Sequence, residues 1–294
     1  MARMGTLIKK HHILIFLFIV CLYLLVGGWK FYSNSKEQVQ SITEAEELNR
    51  QKIAHFWDLF NEATDYRVQG DYESAIEKYS EALSLNSKHE DALYYLGNMH
   101  LFQRNFEKTE TYFMELEKIN PNSPRVQLQL GTLYSCLDSN NKLYDLDEAH
   151  ARFLNAWNIN REETGAPLML AKIYLLQGDF ENAGELIKAI TRSNKMSYQA
   201  LFLQGYIHWI TGNSEQSQVT AVDAMNLYNS LENADVQGEG VTKAGARAML
   251  SEDRYCDPFE SKIGDLLLYG RAHEPEILYE KFEMNLQIWR DNAG

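Results

Sequence analysis

The chain has 294 residues, 45% of them apolar and 23% charged, an ordinary globular balance without a disordered bias. With Arg3, Lys9 and Lys10 set aside, 25 basic residues remain against 41 acids, a net charge of −16. So acidic a body lacks the basic footprint that phosphate binding needs. This excludes nucleic acid as a partner and disfavours anionic lipid surfaces.

Residues 13–29 read ILIFLFIVCLYLLVGGW, 17 residues without a charge. As a helix this run spans about 25 Å, the short end of what a bilayer accepts. Lys30 can snorkel, and Trp29, Phe31 and Tyr32 suit the interface, so 13–32 reads as a transmembrane anchor. A cleaved signal peptide fits less well. The run exceeds the roughly 7–15 residues usual there, and no A-x-A site follows. Phe18-Ile19-Val20 before Cys21 also lacks the small residue expected ahead of a lipidated cysteine. Arg3, Lys9 and Lys10 precede the span, and only Lys30 and Lys36 follow closely. The positive-inside rule then places residues 1–12 in the cytoplasm and the body on the outer, periplasmic-type side of a single-pass protein.

Residues 33–55 are polar, with a thin apolar stripe of Val39, Ile42, Ala45 and Leu48. They read as a helical stalk. The stripe covers too few heptads to define a dimer, so the oligomeric state is left open.

From residue 56 a unit of 34 residues recurs. Gly70-Asp71-Tyr72 lies 34 residues before Arg104-Asn105-Phe106, Ala75 before Thr109, and Tyr79 before Phe113. A third unit, starting near Pro124, holds six extra residues around Asp138-Ser139-Asn140-Asn141, a polar cluster that lengthens a loop. Register then resumes. Ala149, Ala183 and Ser217 step by 34, as do Gly178 and Gly212. Five units follow: 56–89, 90–123, 124–163, 164–197 and 198–231. Such a period means stacked helical hairpins, each leaving an apolar face that only its neighbour can cover. Small residues (Gly97, Gly131, Ala171 and Gly205) in the first helix of a pair permit close approach. Large ones (Tyr79, Phe113 and Phe153) in the second fill the next interface.

Residues 232–240 are a loop by composition. Stretches 241–250, 258–269 and 274–290 look helical, the last with an apolar stripe of Leu278, Phe282, Leu286 and Trp289. Residues 232–294 read as a helical cap on the open end of the stack. Of the three cysteines, only Cys136 and Cys256 could pair within the body. In an oxidising compartment they could bridge; their separation favours two separately packed thiols.

These residues resemble the tetratricopeptide repeat family. The second repeat carries the pattern best, with Leu93, Leu96-Gly97, His100, Thr109, Phe113, Leu116 and Pro121; the first keeps Tyr66, Gly70-Asp71-Tyr72, Ala75, Tyr79 and Ala82. The similarity covers about 56–231. It departs from the pattern in the insertion of repeat three, and at Ser214 and Ala221 of repeat five. The resemblance implies an all-α solenoid whose concave groove, lined by the first helix of each pair, binds protein or peptide. By that carry-over Trp57, Phe60, Tyr94, Asn98, Phe102, Leu128, Lys172, Phe202, Tyr206 and Trp209 face the groove. Members that clamp a C-terminal carboxylate use lysine and asparagine. Asn98 matches, but Phe60 stands where lysine is expected. The groove therefore suits apolar or mixed peptide instead. The layout also resembles the N-terminally anchored periplasmic members that serve cytochrome c maturation, pilus assembly or secretion.

Nothing in the sequence points to chemistry. His55, His89, His100, His150, His208 and His273 have no metal-ligand spacing, so no metal or cofactor is expected. Gly238 and Gly240 with Lys243 lack the end of a phosphate loop. Arg254-Tyr255-Cys256-Asp257 could activate a thiol, but reads as the turn before Pro258. No catalytic residues are assigned and the chain is not read as an enzyme; a site in 232–294 is the remote exception. The expected function is a membrane-anchored adaptor for an envelope assembly, with a general holdase for exported proteins as the alternative.

Overall fold

The computed structural model describes residues 2–233, 259, 262–270 and 273–293; the side chains of 2–17, 19, 20, 35, 37, 292 and 293 lie outside that description. Among the described residues there are twelve α-helices and no strand. By packing the chain divides into two units, Met1–Asn61 and Glu62–Gly294.

Helix α1 runs from Ala2 to Gln69. Anchor, stalk and the first helix of repeat one were expected as successive segments, and one helix carries all three. The reason is compositional: the first proline is Pro121, and nothing stops the helix before Gly70, at φ 85°. Within the first unit Phe18, Tyr23, Leu24, Leu25, Val26 and Trp29 are all exposed. Among the described residues no helix is long and apolar enough to cross a membrane. The expected transmembrane helix gains no support there; it rests on 13–29, where the side chains of 13–17, 19 and 20 lie outside the description.

The second unit is built from helical hairpins. After the end of α1 come α2 (Tyr72–Leu85), α3 (Glu90–Phe102), α4 (Phe106–Ile119), α5 (Pro124–Tyr134) and α6 (Leu146–Ile159). Then follow α7 (Gly165–Gln177), α8 (Phe180–Ser193), α9 (Tyr198–Ile210) and α10 (Ser214–Glu232). Within repeats two to five, α3 packs on α4, α5 on α6, α7 on α8 and α9 on α10, and each second helix packs on the first helix of the next pair. Each second helix begins at an Asx cap: Asp71, Asn105, Asp145, Asp179 and Asn213 accept from backbone N–H groups two or three residues on. Each such cap contributes on the order of 1 kcal/mol. The expected close approach is real at Gly97, where an added Cβ would lie 2.5 Å from Phe113 Cε1.

The extra residues of repeat three form the loop between α5 and α6. Asn141 is buried there and donates to Leu133 O and Cys136 O, both at 2.9 Å. Cys136 is fully buried and disulfide-bonded, which corrects the expectation of two packed thiols; Cys21 is free. Cys256, the helix expected at 241–250, and the clusters at 238–243 and 254–257 lie outside the described residues. The chain ends in α11 (Ile263–Gly270) and α12 (Pro275–Ala293), which pack against α9 and α10; α12 also reaches α7.

Candidate protein-binding groove

The 34-residue period, with its six-residue insertion, brings four side chains to one repeat position: Tyr94 on α3, Leu128 on α5, Leu168 on α7 and Phe202 on α9. One helical turn further, Asn98, Thr132, Lys172 and Tyr206 share a second position. Six of these eight, all but Leu168 and Thr132, are among the residues expected to line the groove. The structure divides them in two.

On α3 and α5 the first position is open, while Asn98 and Thr132 at the second are buried. Tyr94 and Leu128 are each partly exposed. The Arg125 guanidinium lies 3.4 Å from the Tyr94 ring centroid and bridges to Asp91 at 2.9 Å. Burial opposes the Arg125 charge, but the Tyr94 and Asp91 contacts outweigh it and hold its pKa above the ordinary arginine value. Gln129 Nε2 donates to the Tyr94 hydroxyl at 3.2 Å. Asn98 is buried; its Nδ2 donates to Tyr94 O at 3.0 Å, and its Oδ1 has no partner. Phe102 stacks on Tyr72 at 5.0 Å between ring centroids.

On α7 and α9 the row is covered by the chain itself. Leu168 and Phe202 lie in one buried cluster with Phe259, Ile263, Tyr279 and Phe282. Phe202 meets the Tyr279 ring at 5.3 Å and the Phe282 ring at 5.2 Å. Tyr206 is fully buried, stands edge-on to Phe282 at 4.9 Å, and donates its hydroxyl to Glu283. Burial, then the neighbouring Glu283 carboxylate, raise the Tyr206 pKa well beyond the ordinary phenol value. Lys172 is buried, with Nζ 5.6 Å from the Phe259 ring centroid. Trp209 is partly exposed, 6.3 Å from the Tyr279 ring.

Helix α12 holds this position by polar contacts along its length. Glu276 accepts from Ser214 Oγ at 3.0 Å and Gln218 Nε2 at 3.1 Å. Arg290 donates to Leu175 O at 2.8 Å and Leu176 O at 3.2 Å, capping the C-terminus of α7, and pairs with Glu283 at 3.1 Å. Trp289 Nε1 donates to Tyr144 OH at 3.0 Å. Tyr144 lies in the α5–α6 loop that the extra residues lengthen, so this loop supplies a seat for the C-terminal helix.

The ten residues expected in the groove therefore separate. Tyr94, Asn98, Phe102 and Leu128 gather on α3 and α5. Lys172, Phe202 and Tyr206 lie under the C-terminal residues, with Trp209 beside them. Trp57 and Phe60 lie on α1 in the first unit, rings 5.6 Å apart, with Trp57 exposed and Phe60 partly so. Sequence reasoning missed Arg125 and Gln129. Their signal was available, since each stands near an aromatic one repeat away. Among the described residues no cluster of His, Cys, Asp or Glu could hold a metal ion.

Two family profiles match this chain: one described as TPR repeat over residues 64–103, the other as tetratricopeptide repeat over residues 168–217. With the hairpin stack they define the class, and the chain is a tetratricopeptide repeat protein. Such repeats mediate protein–protein interaction. The chain is similar to a Schizosaccharomyces pombe (strain 972 / ATCC 24843) protein named DnaJ homolog subfamily C member 7 homolog, at 24% identity over 75% of this chain. It spans about half (46%) of that relative's length. Among solved structures it is similar to pilF of Pseudomonas aeruginosa, at 16% identity and TM-score 0.50, covering 80% of this chain and 99% of that one. It is also similar to YrrB, described as a TPR protein with an unusual peptide-binding site, at 20% identity and TM-score 0.44, covering 57% and 84%. At 16% identity the pilF likeness bears on the fold alone.

Proposed function

We propose that this chain is a membrane-anchored adaptor that holds a protein client on the first helices of repeats two and three. The observation that carries it is the contrast within one repeat position. Leu168 and Phe202 are buried in the cluster that α11 and α12 complete, whereas Tyr94 and Leu128 are left partly exposed. A tyrosine presented beside an arginine is a pair of the residue types that anchor protein interfaces.

The anchor is proposed on the uncharged run 13–29 together with the exposure of its described part. Tyr23 is 82% and Trp29 76% exposed, and contiguous apolar surface of that kind marks a membrane or partner contact. The body is proposed to lie on the outer side. The basic excess before the run supports this, and so does the disulfide at Cys136, since such bonds persist in oxidising compartments. The role proposed there is assembly of an envelope complex of the cytochrome c maturation, pilus or secretion type.

The test is a photoreactive phenylalanine analogue at position 94, irradiated in intact membranes, with mass spectrometry of the captured proteins. One dominant partner is the expected result. A broad set of unrelated exported proteins would replace the adaptor with a general holdase.

A further inference from the structure

Cys136 stands where α5 gives way to its loop, fully buried and disulfide-bonded. The chain has three cysteines, and Cys21 is free. Burial of Cys136 excludes a bond to a second copy, so one cysteine is left as its partner. We infer that Cys136 is joined to Cys256, about 120 residues further on, and that this bond is a redox-sensitive staple holding α11 and α12 on the repeats. A cross-link closing so long a loop removes much of the freedom of the unfolded chain, the strongly stabilising end of the range for disulfides.

The described residues on both sides bring the C-terminal region to this place. With the insertion of repeat three allowed for, Cys136 holds after α5 the repeat position that Leu176 holds in α7. Helices α5 and α7 are in contact, and Arg290 of α12 already donates to the Leu175 and Leu176 carbonyls. Phe259, three residues after Cys256, is buried against the Phe282 ring at 5.1 Å, with Lys172 of α7 beside it. Three residues of extended chain span at most about 11 Å, which keeps the partner thiol within reach of this end of the stack. The α5–α6 loop then fastens the C-terminal region twice. Cys136 holds the approach to α11 covalently, and Tyr144 holds the end of α12 through Trp289.

The surroundings of Cys136 also let the staple open. Arg104 Nη1 lies 3.4 Å from Cys136 Sγ, and the same guanidinium pairs with Asp138 at 3.8 Å. A positive charge beside a sulfur stabilises negative charge on it as the S–S bond breaks, which makes Cys136 the leaving sulfur. Its burial directs attack to the other sulfur. A thiolate of a dithiol reductant attacks Cys256, a mixed disulfide forms there, and the electron pair of the broken bond goes to Cys136 Sγ, which then takes a proton. The second thiol of the reductant attacks the mixed disulfide, releases Cys256 as a thiol and leaves the reductant as a disulfide.

The experiment uses the full chain in detergent micelles. Free thiols are alkylated in denaturant without reductant, and the digest is read by mass spectrometry. A peptide pair joining positions 136 and 256 is expected, with alkylation at Cys21 alone. Alkylated Cys256, or a bridge from Cys21, would overturn the pairing. Hydrogen exchange with and without dithiothreitol then tests the staple. Reduction should lower protection in α11 and α12 about tenfold or more and leave α2 to α4 unchanged. Cys256→Ser, which leaves Cys136 in its packed site, should match the reduced parent and be indifferent to dithiothreitol. If that variant does not fold, reduction of the folded parent reads the same quantity. Unchanged protection in α11 and α12 would overturn the staple, and so would an equal loss across all the repeats. Arg104→Gly, which suits the left-handed turn, should slow reduction about threefold or more. An equal or faster rate would overturn the part given to the arginine.

Discussion

The hydroxyl of Tyr279 fills the space that a side chain on Gly205 would need, so α12 docks only because α9 carries glycine there. Gly205→Ala is expected to destabilise the fold by about 1–3 kcal/mol, the usual cost of overpacking a full interior. Thermal unfolding of the variant checks this. Adding Tyr279→Phe should recover part of the loss, because it removes the closest atom. A variant as stable as the parent would mean that α12 does not seat against α9.

Arg104 is the one non-glycine residue with positive φ among those described, at 58°. Gly70, Gly178 and Gly212 hold the equivalent turns, at 85°, 77° and 77°. Arg104→Ala and Arg104→Gly both remove the guanidinium contacts to Cys136 Sγ and Asp138. They differ in the backbone. Glycine should leave the protein about 1 kcal/mol more stable than alanine, since only alanine keeps the left-handed strain. Urea unfolding of the two variants measures the difference directly.

His100 takes the repeat position usual for tyrosine; it is buried and stacked on Tyr112 at 5.4 Å. Burial, with a smaller contribution from Lys108, lowers its pKa below the ordinary histidine value. Below about pH 6.5 the unfolded chain therefore binds a proton that the folded chain refuses. Stability should be fully present above that pH and fall as acid is added, down to the depressed folded value. His100→Tyr should flatten this part of the profile between pH 7.5 and 5. An unchanged slope would assign the acid sensitivity to other groups.

Arg290 ties the end of α12 to the last carbonyls of α7 and to Glu283. Arg290→Ala should destabilise by about 1.5–3 kcal/mol, the range for hydrogen bonds involving a charged group. It should also raise hydrogen exchange in α12 before the repeats respond. Uniform loss of protection across the repeats would instead make the arginine part of global folding.

The anchor proposal has its own check. The full chain should float with neutral liposomes in a density gradient, and a chain lacking residues 1–32 should stay at the bottom. Neutral lipid is chosen because the acidic body is repelled by anionic headgroups. Equal flotation would move the membrane contact elsewhere in the chain.

Much of the stack was legible because its signals are local and repeat. Each Asx cap, each left-handed turn and each small residue opposite a ring recurs at one spacing, so a single unit announces the rest. Register alone also sets Tyr94, Asn98 and Phe102 along one face of α3 and gives Leu128 on α5 the repeat position of Tyr94. The stripe on the last helix was equally plain. The uninterrupted course of α1 was not read, although the absence of proline before residue 121 permitted it.

By itself, then, the sequence determined the repeats, their register and the face that their first helices present, because 34-residue periodicity converts directly into position on a helix. Only the tertiary structure decided how that face is shared. Phe202 looks no less available in the sequence than Tyr94. What separates them is the docking of a helix more than sixty residues further along, guided by Gly205 and stopped at Tyr144. A contact of that range depends on the shapes of both partners after each has folded, and no local spacing encodes it.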